Sequence, residues 1–447
     1  MNYEKIKSAA LALLVLISLA FTWGIWNYKP SYETIKDSSD TIVTEVEIGQ
    51  QRKISALLKP SKIVTHLQDQ HYGTVAEEEL TWFMEEMASW TFYEPENISS
   101  LLNEQEFNEL LTGDSHVELF FSGSIPFNTI KNILAFNHSD VPSAVFDRMV
   151  IKKEEQSNSA SVYFVSVQER LVFKSRIESA SLAEFKMRYL VQSDHLEPYI
   201  AHQIPNGPLL FVRKEAPVLY TQKYLPEQIE AETFKKALFN DPSYVKRGTS
   251  LGSDEYTDGS SLMRVNHSTG VITYLNLALE NEIGQKMALN TLIDKSISFV
   301  NDHNGWVDEY RLFSTTPGSS FISYRLFLDD YPVFNEQGME GMAELSQTWG
   351  RERIYQYKRP SFIIQLDSPL PETEAPIELE SGEEAISKVL NQEIDVSLLT
   401  DMQVGYEMTV ERESPKILAL EPSWYYKYNG TWQRLVTGGG GAADGLE

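Results

Sequence analysis

The chain has 447 residues, 38 Lys+Arg against 64 Asp+Glu for a formal net charge of −26, and no cysteine. That charge disfavours nucleic-acid backbones, anionic headgroups and wall polyanions as partners, and the missing thiols rule out disulfides. A hydrophobic content of 42% with 11% aromatics requires folded domains rather than a disordered stalk.

The first element is the uncharged run Ser8–Trp26, "SAALALLVLISLAFTWGIW". At ~1.5 Å per helical residue it spans roughly 28 Å, about one hydrocarbon core. Trp23, Trp26 and Tyr28 sit where an interfacial aromatic belt belongs, and Lys5 and Lys7 precede the run, so Met1 is placed in the cytoplasm and the body outside. The rival reading is a leader cleaved after Ser18-Leu19-Ala20. It would leave Phe21–Trp26 as an exposed apolar N-terminus, and a leader core is shorter, about 7–15 residues. The retained anchor is therefore the expectation. Small residues four apart, Ser8 with Ala12 and Ala20 with Gly24, let a second helix approach closely. Ala20 and Gly24 are the candidate partner contacts, and Trp23 and Trp26 set the depth.

Beyond the anchor the signals mix α and β. "DTIVTEVEI" (residues 40–48) alternates as a strand, and "EEELTWFMEEMASWTF" (77–92) places Leu80, Phe83, Met84 and Met87 on one helical face. A strand, a Gly/Pro turn and a helix follow over 116–134. "FDRMVI" and "SASVYFVSV" pair across the turn "KKEEQSNS", a helix covers 182–191, and "PVLYTQKYLP" (217–226) is a strand.

A helix followed by two strands then recurs three times. The helices lie over 229–239, 285–302 and 383–391. Their strand pairs turn at His267–Gly270, Pro317–Gly318 and Glu413–Ser414, as hairpins require. The predicted fold class is α+β: a single N-terminal transmembrane helix, then a three-domain ectodomain with antiparallel sheets and repeated helix–hairpin units. The boundaries are 1–7 (cytoplasmic), 8–28 (membrane helix), 31–160 (N-terminal ectodomain), 161–284 (middle domain), 285–436 (C-terminal domain) and 437–447 (flexible tail).

Chemistry is hard to find. Gly248-Thr249-Ser250-Leu251-Gly252 matches G-x-S-x-G, but a nucleophile elbow needs an apolar strand before the serine and a helix after it. Both flanks here are polar. Asp254, Asp258 and Gly259 resemble a calcium loop only faintly, because Val265 stands where a bidentate Glu is needed; a turn leading into a hairpin explains them. The eight histidines show no metal spacing, His66 and His71 being five apart. No phosphate loop occurs, and acidic pairs such as Asp329–Asp330 are too common here to mark a catalytic dyad. No catalytic, cofactor or metal residue is assigned, and no enzyme is expected. In "PSWYYKYNGTW" (422–432), Trp424, Tyr426 and Tyr428 share one side of a strand with Tyr425 on the other. They are either core or a candidate protein-binding face.

In combination these segments resemble the YycH family of Gram-positive bacteria: "WNYKPSY" after one span, "YLPEQI…FKKALFNDPSYVKR", "YTDGSSLMRVN…GVITYLN", "YRLFLDDYPVF" and "EPSWYYKYNGTW", in that order. The resemblance implies a non-enzymatic, membrane-anchored regulator that modulates a WalK/YycG-type sensor histidine kinase of cell-wall homeostasis. It also implies a YycI-like partner and three domains, and it offers no catalytic residue. The alternative from a different class is an extracytoplasmic sensor whose interdomain cleft binds a wall fragment or peptide. A wall hydrolase is the third reading, with no turnover expected.

Overall fold

The structure is a computed structural model and describes Lys7, residues 13–18 and residues 49–436 other than 154–158, 179–181, 206, 283, 285, 304 and 372–375. Residues 13–18 are helical and exposed, within a unit, Met1–Thr44, distinct from the body. Ala20, Trp23, Gly24 and Trp26, the predicted strand over 40–48 and the tail 437–447 lie outside the described residues. Among the described residues no helix is long and apolar enough to cross a membrane.

The body is α+β and dominated by two large sheets. The first runs, in spatial order, through Leu209–Arg213, Glu197–Gln203, Gln70–Thr74, Lys62–Leu67, His116–Pro126, Val145–Lys153, Ser159–Ser166 and Leu171–Glu178, with short strands beyond. Period-two alternation sends Ile63, Val117, Leu119, Met149 and Ile151 to one face. There they bury against Leu80, Phe83, Met84 and Met87 of the Glu77–Ala88 helix. The helix expected over 182–191 begins as Leu182–Phe185 and continues as a π-helical stretch, Lys186–Val191. It seats Phe185 and Tyr189 against Phe83.

The second sheet runs from Gln222–Tyr224 through Leu418–Tyr428, Leu399–Val410, Tyr331–Asn335, Phe321–Leu328, Glu344–Trp349, Ile354–Pro360, Val271–Asn276, Ser261–Asn266 and Ser253–Thr257 to Lys246–Ser250. Two helices cover separate stretches of it. Leu289–Asp302 buries Leu292, Ile293 and Val300 in the large core with Ile322, Tyr324 and Tyr357. Gly382–Leu390, started by a Ser381–Glu384 capping box, buries Ala385, Ile386 and Val389 in a smaller core. The box satisfies two amides at the helix start that no helical carbonyl reaches.

The three helix–hairpin units form, but they are not separate domains. The predicted boundary at 160/161 cuts the Ser159–Ser166 strand, and the same sheet continues to Arg213. The boundary at 284/285 separates Val271–Asn276 from Ile354–Pro360, which are hydrogen-bonded neighbours. Both boundaries are corrected: distant segments pair directly, and a sheet cannot be cut at a loop its own strands bridge. The expectation of antiparallel sheets holds except for two parallel pairs, Val333–Asn335 with Tyr406–Met408 and Thr91–Phe92 with Ala135–Phe136. The Lys246–Ser250 strand was not expected, because "KRGTS" has no apolar residue; it is an exposed edge strand throughout.

A buried histidine row as the candidate functional site

The other face of the first sheet carries Lys62, Val64 and His66. A two-residue turn, Gln68-Asp69, folds Gln70–Thr74 back onto this strand, with both residues at positive φ (50° and 61°), the geometry of a tight hairpin turn. The Gln68 amide donates to Asp114 Oδ1 at 2.6 Å, which holds that carboxylate below its usual range. The turn sets His66 opposite His71, and pairing with the next strands sets His66 opposite His116 and His116 opposite Lys152. Directly opposed residues have Cβ atoms about 5 Å apart, so four strands hold His71, His66, His116 and Lys152 in one row. Glu118, one step along the same face, reaches the row diagonally.

The rings pack closely. His66 stacks on His116 with centroids 4.2 Å apart, and Phe211 meets His66 edge-on at 4.8 Å. His66 Nδ1 lies 2.8 Å from His71 Nδ1, one donating to the other. Glu118 Oε1 pairs with Arg148 Nε at 3.2 Å, and the Arg148 guanidinium lies over the Phe120 ring. Lys62 Nζ donates to the Phe211 carbonyl and to Asp401 of the second sheet, both at 3.0 Å.

Burial is nearly complete: 1% exposure for His66, 0% for His116 and 2% for Glu118. Burial, then the neighbouring His71, pushes the His66 pKa down to about 3; burial, then His66, does the same to His116. Both imidazoles are therefore neutral at neutral pH, and the 3.6 Å approach of His66 Nε2 to Glu118 Oε2 is not an ion pair. Burial raises the Glu118 pKa, opposed chiefly by Arg148. Among the described residues His66 Nε2 and Glu118 Oε2 have no hydrogen-bond partner, and the His116 ring has only the Asp114 backbone. Each such atom costs about 1–3 kcal/mol when left alone, and a core normally avoids that. The polar row is thus costly for the fold on its own.

Sequence spacing hid this cluster. His66 and His71 look unrelated at five residues apart until the intervening turn is counted as two residues, and His116 reaches them only through sheet pairing. The readable signal was "THLQDQHY", a tight hairpin with a histidine on each arm.

The residues singled out by sequence are elsewhere. Ser250 lies on an exposed hairpin between Lys246–Ser250 and Ser253–Thr257, followed by a strand and not by a helix, so no nucleophile elbow forms. Asp258 Oδ1 accepts from the Ser260 and Ser261 amides, closing the turn before Ser261–Asn266. Trp424, Tyr426 and Tyr428 do share one side of their strand. Trp424 and Tyr426 are buried with the Gly382–Leu390 helix, and Tyr428 packs at the margin. Trp424 Nε1 donates to the Glu380 carbonyl. The chain itself covers this side, which corrects the candidate protein-binding face to a core. Tyr425 points the other way and stacks on Phe334 at 3.9 Å.

Residues 4–189 match the family model described as "YycH protein, N-terminal domain", and residues 209–437 match "YycH protein, C-terminal domain". A relative from Bacillus subtilis (strain 168), "Two-component system WalR/WalK regulatory protein YycH", is 26% identical over 454 residues, covering 96% of each chain. The crystal structure of YycH from Bacillus subtilis superposes with a TM-score of 0.73 over 87% of this chain and 98% of that one, at 22% identity. That likeness establishes the fold.

Proposed function

Because the chain belongs to the YycH family, we propose that it is a regulatory protein of a WalR/WalK-type two-component system, not an enzyme. The observation that carries this reading is the end-to-end match: both domain models, and 96% of each chain shared with the Bacillus subtilis regulator.

In this reading Ser8–Trp26 is a single membrane span, residues 1–7 are cytoplasmic and the two-sheet body lies outside. Support comes from the uncharged run behind Lys5 and Lys7, from the positive-inside rule, and from the exposed, apolar, helical character of residues 13–17. The partners are a WalK/YycG-type sensor kinase of cell-wall homeostasis and a YycI-like protein. A bound helix shifts a kinase only if it packs differently against the resting and signalling states. Ala20 and Gly24 would allow the close approach, and Trp23 and Trp26 would fix the depth.

The test is affinity purification of the full-length protein from gently solubilised membranes, beside a version whose residues 8–26 are replaced by an unrelated span. Recovery of a histidine kinase with the native protein alone supports the helix contact. Recovery with both moves the contact to the body, and recovery with neither overturns the regulatory reading.

A further inference from the structure

The histidine row has more coordinating atoms than partners. His66, His116 and Glu118 come from three separate positions in the sequence, yet one potential ligand atom of each lies within 4.8 Å of the others. His66 Nε2 and Glu118 Oε2 are 3.6 Å apart, close to the edge of about 3.4 Å expected between two ligands of a tetrahedral zinc ion. We propose that His66, His116 and Glu118 form a binding site for a divalent transition-metal ion of the zinc class.

Each ligand is already held by an outer partner. The Nδ1 contact between His66 and His71 fixes the His66 ring; with the proton on His66 Nδ1, the Nε2 lone pair faces His116 and Glu118. This is the second-shell arrangement that orients metal-binding imidazoles. Arg148 takes Glu118 Oε1 and leaves Oε2 toward the site. The free atoms are buried and unpartnered, and a cation would satisfy one on each residue. Two neutral imidazoles and one carboxylate suit zinc, cobalt or nickel, whereas magnesium and calcium require all-oxygen sets.

The local charge is mixed. Lys62 is paired with Asp401 and Arg148 with Glu118, whereas Lys152, held by the Glu109 carbonyl, disfavours added positive charge at both histidines and is the charge a bound ion must overcome. His71, which contacts His66, is partly exposed. Three protein ligands leave one position for water. No reaction is assigned to it.

The site stands independently of the kinase reading and is tested on the full-length protein in detergent, with any affinity tag removed and metal stripped by chelation. Equilibrium dialysis against zinc buffered at low free concentration is expected to leave about one zinc per chain. Cobalt is expected to give the intense visible absorption of a tetrahedral site, not the pale spectrum of ions loosely held by surface carboxylates. His66→Gln, His116→Gln and Glu118→Gln should each weaken binding at least tenfold with circular dichroism unchanged. Ser250→Ala serves as the remote control. No zinc retained by the parent after dialysis, only the pale cobalt spectrum, or three variants that bind as tightly as the parent would each overturn the proposal. If a variant fails to fold, the stoichiometry and cobalt spectrum of the unaltered chain decide.

Discussion

Both sheets bury charged or polar groups in their faces, and both leave some atoms unpartnered, Arg325 Nε and Arg359 Nη2 among them in the second; Arg325 and the histidine row differ in how much of each group is completed. In the second sheet Arg325 is buried, yet its guanidinium donates to the Val333 carbonyl at 3.0 Å and to Glu344 at 2.8 Å, and lies between the Phe313 and Phe334 rings. In the first sheet the His66, His116 and Glu118 atoms facing one another have no protein partner. The chain supplies the guanidinium with nearly all it needs and leaves the imidazole row incomplete. Equal burial therefore does not imply an equal role. The completed group acts in stability, and the incomplete one is the place to look for a ligand.

The comparison breaks most readily at Arg325. Arg325→Ala should cost about 4 kcal/mol, because it strands Glu344 and opens a cavity between two phenylalanines; denaturant unfolding followed by tryptophan fluorescence measures this. An effect below about 1 kcal/mol would show that the second sheet does not depend on the completed pair.

The next largest effect is set by pH. Burial raises the Asp308 pKa to about 6, against hydrogen bonds from the Ile364 and Gln365 amides. Between pH 4 and 6 the unfolded chain releases this proton while the folded chain keeps it. Stability should thus fall as pH rises through that window, by about 3 kcal/mol in all. Asp308→Asn should abolish that component, read as the difference from the parent at pH 4.5 and pH 7.

The histidines titrate in the opposite sense. With pKa values held to about 3, they refuse protons that the unfolded chain accepts below pH 6.5. The metal-free protein should lose about 2 kcal/mol per histidine on acidification from pH 7 to pH 5. His116→Leu should remove one such share. At pH 7 it should change stability by less than about 1 kcal/mol in either direction, because the His116 ring has no side-chain partner to strand. A loss of several kcal/mol at pH 7 would mean that His116 is completed within the protein, and the contrast with Arg325 would collapse. The smallest effect belongs to Ser250→Ala on the exposed hairpin, within about 0.5 kcal/mol in unfolding experiments.

Much of the fold was readable locally. Leu80, Phe83, Met84 and Met87 marked a helix by spacing alone, and all four are buried in it. The three recurring helices and the hairpin turns at His267–Gly270, Pro317–Gly318 and Glu413–Ser414 formed where expected. The sides of the Trp424–Tyr428 strand also followed from alternation. Strands without an apolar pattern, such as Lys246–Ser250, gave no signal, because an exposed edge strand is held by backbone pairing and not by side-chain burial.

What the order of amino acids decided for this protein was its composition class, the apolar N-terminal run, the type of most elements and the residues pointing to either side of them. Those properties arise from chain periodicity and from turns a few residues long. Tertiary pairing alone decided the rest. Val271–Asn276 joins Ile354–Pro360 across some eighty residues, dissolving a predicted domain boundary. His66, His116 and Glu118 meet across about fifty. Which strand lies beside which depends on the burial of whole faces against a common core, and a side chain's partners follow from that choice, not from its neighbours in the sequence.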